Sequence, residues 1–312
     1  MIDIIESLDE FEAYIQKCDV KFTRNNNSRY AYLKLIIAGD NPLRINGKKW
    51  NIDGRDEENL KRGVVLKVNN FSIDSYNGEI NIIIKNYEVI PSEEYDLLRF
   101  SERSVRDKKD MVKELKEYIS TYISNEEIYE VVVNALRGAS EKFLKYPAAE
   151  SYHHVYYCGL LEHTLEVVKI CVESAKSMSE SVNGIDFEVL VASAILHDLG
   201  KIEEYEVDSI GTAVRKKNFE MVGISHSMVA RDMVLKISQE VRNRIPDFKW
   251  SDKISLVEHC ILSHHGKLEW GAIVEPITKE AVILHLADMM SSKVNGLYLL
   301  EKNQSIGKFS IY

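Results

Sequence analysis

The chain has 312 residues, 45% of them hydrophobic and 29% charged, with a net charge of −9. This composition excludes a largely disordered polymer and supplies enough apolar material for two domains. The acidic balance excludes bulk attraction to nucleic acid or anionic membrane, so binding of that kind must come from a local patch.

The sequence holds no apolar run of about 18 residues, so no membrane span or membrane partner is expected. The opening MIDIIESLDEFEAY is acidic and does not read as a secretory signal. Cys18, Cys158, Cys171 and Cys260 form no CxxC pair, which argues against a thiolate zinc site or a disulfide framework. A reducing cytoplasm is the expected compartment.

Residues 1–19 read as a short amphipathic helix. From about 20 to 90 the pattern is that of strands. Leu33, Leu35 and Ile37 alternate after Tyr30 and Tyr32. Val64, Leu66 and Val68 alternate after Gly63, and Ile80, Ile82 and Ile84 repeat the period of two. Asn46-Gly47 and Asn77-Gly78 carry hairpin-turn chemistry. Several short strands in about 70 residues fit a small N-terminal β-barrel, OB-like among other possibilities. Pro91 closes this unit. The expected division is an OB-like domain over 1–95, a charged connector with helix over 96–125, and an all-α domain over 126–312. Asn125 before Glu126-Glu127 reads as a helix N-cap.

Residues 20–70 contain eleven Lys/Arg against five Asp/Glu, a local surplus of six positive charges. Tyr30, Tyr32, Trp50, Phe71 and Tyr76 are interleaved with them. Together with Lys61 and Lys67 they would stack bases and hold phosphates. Aromatic residues serve equally as barrel core, and lysines as a solvated face.

All nine histidines fall between His153 and His285. Phe187, Leu190, Val191, Ala194 and Ile195 define a helical stripe, and seven residues further on it reaches His197 and Asp198. A carboxylate aimed at a core costs several kcal/mol unless something compensates it, and a cation does so. His163 lies on the stripe of Leu160, Thr164, Val167, Val168 and Cys171. Asp288 shares a face with Ala281, Leu284 and His285. One inward histidine is ordinarily core. Three helices that each bring His or Asp inward point to a shared metal.

The strings GLLEHTLEVV, AILHDLGK and LHLADMM resemble the HD-domain phosphohydrolases, in which a His, a His-Asp doublet and a distant Asp hold a divalent ion. The resemblance implies His163, His197, Asp198 and Asp288 as ligands. Histidines between doublet and last Asp imply a second ion, with Asp198 bridging, His226 and His264 as ligands, and His265 a ligand, a substrate contact or a structural hydrogen-bonding group. Adjacent helix residues point about 100° apart, so His264 and His265 need not ligate one ion. Two cations would supply a nucleophile at neutral pH and a clamp on the phosphoryl oxygens. Imidazole-rich ligation favours Mn, Fe, Co, Ni or Zn over Mg, and the family resemblance implies Mn²⁺. Lys201 shares a helical face with His197 and would place an ammonium on a phosphate.

The string HHVYYCGLLEHT, then LHDLGK and LSHHGKLEWG, behind a barrel-like segment, resembles the YhaM-type 3′→5′ exoribonucleases. That family usually has a glycine pair where this chain has Cys158-Gly159, and a glycine where Ser225 precedes His226. The resemblance implies hydrolysis of single-stranded RNA, with DNA as an alternative, to nucleoside 5′-monophosphates. His154 and Trp270 would grip the terminal nucleotide. A phosphohydrolase of small nucleotides or cyclic dinucleotides is the competing reading, and a binding protein on a degenerate scaffold is a third. Amphipathic helices over 111–145 leave a homo-oligomer open, and His153, His259 and His285 have no assigned role.

Overall fold

The computed structural model describes residues 5, 7–23, 28–39, 42–76, 79–208, 210–244 and 252–306. It divides into two compact units, Met1–Glu102 and Arg103–Ser305.

The first unit contains β1 (Phe11–Phe22), β2 (Arg29–Ile37), β3 (Leu43–Trp50), the short helix α1 (Gly54–Asn59), β4 (Val65–Tyr76) and β5 (Glu79–Ile90). The strands close in the order β1-β2-β3-β5-β4. β3 and β5 run parallel, and the other neighbours are antiparallel. This is an OB-like five-stranded barrel. Ala13, Ile15, Leu33, Leu35, Ile45, Leu66, Val68, Ile82 and Ile84 fill its interior. Tyr30, Tyr32 and Lys34 alternate with the inward residues of β2 and point outward.

Two expectations are corrected here. The segment expected to be a helix over 1–19 contains the start of β1. Leu8, Phe11 and Ile15 fit a helical spacing, but Phe11, Ala13 and Ile15 fit a period of two equally well. Pairing with β2 and β4 decides for the strand. Asn46-Gly47 is not a turn but lies inside β3, with Asn46 opposite both Lys34 and Asn81. Gly47 is needed there for space, since a Cβ would come within 2.7 Å of Leu35 Cδ1. Asn77-Gly78 and the Tyr76 side chain lie outside the described residues, although Tyr76 and Glu79 are paired across β4 and β5.

The second unit is built from α2 (Lys108–Tyr122), α3 (Glu126–Phe143), α4 (Gly159–Met178), α5 (Phe187–Leu196), α6 (Lys201–Glu204), the hairpin β6 (Tyr205–Val207) and β7 (Ala213–Arg215), α7 (Lys217–Val222), α8 (His226–Arg244), α9 (Lys253–Ser263) and α10 (Lys279–Ile306). Asn125 caps α3, its Oδ1 accepting from Ile128 N at 3.0 Å. Within the 96–125 stretch, α2 sends Met111, Leu115 and Ile119 into the core of this unit, so its helical part is a packed element. Val189 to Leu196 of α5 are all buried, an apolar helix surrounded by others. Its last turn therefore delivers His197 and Asp198 into the protein interior. No helix among the described residues is long and apolar enough to cross a membrane.

Candidate metal centre

Five elements converge on Asp198. His163 comes from α4, His197 and Asp198 from the end of α5, His226 from the start of α8, His264 and His265 from the end of α9, and Asp288 from α10. Gly200 makes one of these approaches possible. A Cβ there would lie 2.0 Å from His226 O, so only glycine lets the chain after Asp198 pack against the first turn of α8.

The two oxygens of Asp198 face different partners. Oδ2 lies 3.3 Å from His163 Nε2 and 3.4 Å from His197 Nε2. Asp288 Oδ1 completes that side at 3.2 Å from His163 Nε2 and 4.0 Å from His197 Nε2. Oδ1 of Asp198 lies 3.3 Å from His226 Nε2 and 3.9 Å from His264 Nε2. The rings of His264 and His265 are 4.1 Å apart, and those of His226 and His265 5.0 Å. Two donor sets thus share one carboxylate.

The outer nitrogens fix which lone pairs face inward. His197 Nδ1 donates to Ala194 O at 2.9 Å and His264 Nδ1 to Ile261 O at 2.7 Å. His226 Nδ1 donates to Glu204 Oε2 at 2.8 Å. Ser291 Oγ donates to Glu166 Oε2 at 2.7 Å, which leaves its oxygen to accept from His163 Nδ1 at 3.0 Å. With Nδ1 donating outward in each ring, all four turn Nε2 toward the centre, where a cation can take the place of a proton.

Charge balance agrees with this arrangement. Burial by itself would lower His163, but the carboxylates of Asp198 and Asp288 outweigh it and push the ring up to about 9. Burial and the neighbouring rings drive His264 well below the ordinary imidazole value, and burial with His226 takes His265 down to about 4. One pocket therefore demands positive charge, and the other offers neutral imidazoles.

Divalent metal ions fit these residues. The buried Nε2 atoms of His226 and His264 and Nδ1 of His265 have no hydrogen-bond partner. The ligand atoms of His226, His264 and His265 lie within 4.8 Å of one another, as do those of His163, His197 and Asp198. A buried lone pair without a donor is costly, and a cation satisfies several at once. Residues 160–292 match the family model of the HD domain. That segment is similar to HD domains. HD domains hold divalent metals, and the match supports metal-dependent phosphohydrolase chemistry in this segment. Residues 101–186 also match a model described as "Putative helicase". No solved structure matches the chain.

Lys201 is buried, and its Nζ lies 2.7 Å from Asp198 Oδ2. Burial disfavours its charge, yet Asp198 raises it above the usual lysine value. His154, expected to grip substrate, lies beneath the surface. It is fully buried, with Nδ1 3.2 Å from His153 Nδ1 and Nε2 3.1 Å from Glu166 Oε2. Trp270 stands half exposed on a cleft of about 270 Å³ that also meets His264, His265, Asp288, Met289 and Lys293. His285 supports His264 by donating from Nδ1 to its carbonyl at 2.8 Å. His259 Nε2 accepts from Ile277 N at 3.1 Å. Cys158 stands at the N-cap of α4 at φ +65°, a left-handed conformation that glycine adopts more readily than a residue with a Cβ.

On the barrel, Tyr30 and Trp50 have ring centres 4.7 Å apart, Lys21 Nζ lies 4.4 Å from the Tyr32 ring, and Lys48 Nζ lies 6.0 Å from that of Trp50. β-register joins them, with Tyr30 opposite both Lys21 and Trp50 and Tyr32 opposite both Asp19 and Lys48. Lys67 does not join this group. It sits opposite Glu12 of β1, seven positions from Asp19 and so roughly 20 Å away at strand rise, and its Nζ pairs with Glu10 at 2.8 Å. Lys61 lies exposed at the turn after α1.

Sequence reasoning missed Glu204, Glu166 and Ser291, the groups that orient His226 and His163. Glu203-Glu204 looks like a solvated acidic pair in sequence. Nothing in its spacing marks Glu204 as buried. Only the packing of α6 against α8 reveals it.

Proposed function

We propose that this HD protein is a metal-dependent 3′→5′ exonuclease that releases nucleoside 5′-monophosphates from single-stranded RNA, with Mn²⁺ as the working cation. The observation that carries this reading is the division of the two Asp198 oxygens between two histidine-lined pockets beside an open cleft. His163, His197, Asp198 and Asp288 would hold one ion, and Asp198, His226, His264 and His265 the other. Bound there, two cations supply a nucleophile at neutral pH and neutralise charge on the phosphoryl oxygens.

The protein groups do the positioning. Asp198 is kept anionic by Lys201 and the surrounding imidazoles, well below the usual carboxylate range despite its burial. Lys201 thereby balances the centre when substrate phosphate is absent. Trp270 offers a half-exposed ring on the cleft for the terminal base. In the barrel, Tyr30, Tyr32 and Trp50 with Lys21 and Lys48 would give sequence-tolerant affinity for a strand. RNA against DNA is not distinguished by such stacking.

The test is incubation of the full chain with 5′-labelled single-stranded RNA and Mn²⁺. A ladder of shortened products with release of nucleoside 5′-monophosphates is expected. Hydrolysis of small nucleotides or cyclic dinucleotides with the RNA left intact would refute the exonuclease reading and favour the small-nucleotide one.

A further inference from the structure

Beside the metal cleft, next to Lys293 of its lining, stand features that no metal ligand requires. Tyr152, in the loop before α4, is 44% exposed, directly before the buried His153 and His154. Its ring lies across the backbone of α10 at Gly296. A Cβ at that position would meet Tyr152 Cζ at 2.8 Å and Cε1 at 3.0 Å. Glycine inside a 28-residue helix is unfavourable relative to alanine. The seat for the ring is the compensating gain.

Lys293 stands beside that ring, with Nζ 5.8 Å from its centre. The lysine is exposed and has no carboxylate partner among the described residues. It lines the same cleft as Asp288 and Trp270. Lys293 follows Asp288 by five residues on α10, and both side chains line the cleft. Tyr152 is also tied to the centre from behind: its ring centre is 6.1 Å from that of His153, which is 4.9 Å from that of His163.

We propose that Tyr152 and Lys293 form a nucleotide subsite next to the metal centre, in which Lys293 holds the phosphate adjacent to the scissile one and Tyr152 stacks its base. The ligand class is a single-stranded polynucleotide, and the inference rests on the strand-cleaving reading above. An unpaired ammonium beside an aromatic face suits this ligand, because every nucleotide offers one phosphate charge and one π-face. Gly296 acts as a positioning residue, since it touches only the ring.

The experiment uses the full chain with Mn²⁺ and a 5′-labelled single-stranded 20-mer. Tyr152→Leu, Lys293→Met, Lys293→Arg and Gly296→Ala are compared with the wild type. Tyr152→Leu and Lys293→Met are each expected to raise KM about tenfold with kcat within about twofold. Lys293→Arg should restore most of the affinity, and Lys293→Met should also lower the salt slope of binding by about 0.7. Gly296→Ala, which favours the helix but displaces the ring, should behave as Tyr152→Leu does. A KM that stays within about twofold in Tyr152→Leu and Lys293→Met would overturn the subsite, as would a loss confined to kcat. A wild type that hydrolyses bis(p-nitrophenyl) phosphate but leaves the 20-mer whole would overturn the strand-cleaving reading and the subsite together.

Discussion

Glu204 accepts the Nδ1 hydrogen of His226 at 2.8 Å, and this contact turns the opposite ring nitrogen toward Asp198. Glu204 is itself held in place, with Arg215 Nε 2.8 Å from its other oxygen. The pair of contacts lowers the Glu204 carboxyl below its ordinary value even though burial opposes this.

Removal of that support should act on one ion more than on the other. Glu204→Ala is expected to weaken the cation held by His226 about 10–100-fold and to leave the His163 side near its normal affinity. Metal analysis after dialysis against limiting Mn²⁺ should then fall from two ions per chain toward one. Retention of two ions at unchanged affinity would show that His226 does not need its carboxylate partner.

Asp198 is the shared element, so its loss should not be selective. Asp198→Asn is expected to release both ions and reduce phosphodiester hydrolysis at least about a hundredfold. Lys201 would then be buried without its anion, which costs on the order of 3–5 kcal/mol and lowers the melting temperature. Circular dichroism at 20 °C checks that the variant is folded, and Mn²⁺ should raise the melting temperature of the wild type only. Near-normal turnover in a folded Asp198→Asn protein would refute the shared-ligand arrangement.

The convergence of His163, His197, Asp198 and Asp288 on one buried centre was legible in the sequence because burial of charge is improbable without a purpose. The apolar run of α5 leads straight into His197-Asp198, and that is visible as pattern. Glu204, Ser291 and Glu166 were not legible, since their partners are far away in the chain and their spacing is unremarkable. Alternation correctly marked the strands around Leu33, Leu66 and Ile82. It failed over Phe11–Ile15, where helical and extended periods coincide and only the neighbouring strands choose. Asn46-Gly47 failed for a related reason. The dipeptide carries turn chemistry, but the Leu35 side chain needs the empty space of Gly47 inside a strand.

The register of the barrel changes which lysines matter for a nucleic-acid face. Lys21 and Lys48 stand beside Tyr32 and Trp50, whereas Lys67 is paired with Glu10. Lys48→Ala and Lys21→Ala are each expected to reduce the salt slope of single-strand binding by about 0.7. Lys67→Ala should leave it unchanged, contrary to what charge counting along the sequence suggests. Fluorescence anisotropy with a labelled oligonucleotide from 50 to 200 mM salt measures the slopes. A slope that responds to Lys67 and ignores Lys48 would move the binding face elsewhere on the barrel.

Acid sensitivity of the helical unit should trace to Glu188 as well as to the metal centre. Its carboxylate takes hydrogen bonds from the backbone N–H of Ser124 at 2.8 Å and of Asn125 at 2.7 Å, and Lys253 pairs with its other oxygen. It therefore ties α5 to the start of α3 and to α9. Burial would raise this carboxyl, but Lys253 and Ser124 prevail and hold it at about 2, below its ordinary 4.5. A depressed folded-state value means the contribution is complete above pH 4.5 and disappears as pH falls toward 2. Partial exposure limits it to on the order of 1–2 kcal/mol. Metal-free protein should thus lose melting temperature across that window, and Glu188→Gln should start lower at pH 7 and decline less steeply. Parallel acid limbs in the two proteins, followed by scanning calorimetry, would assign the sensitivity to other carboxylates.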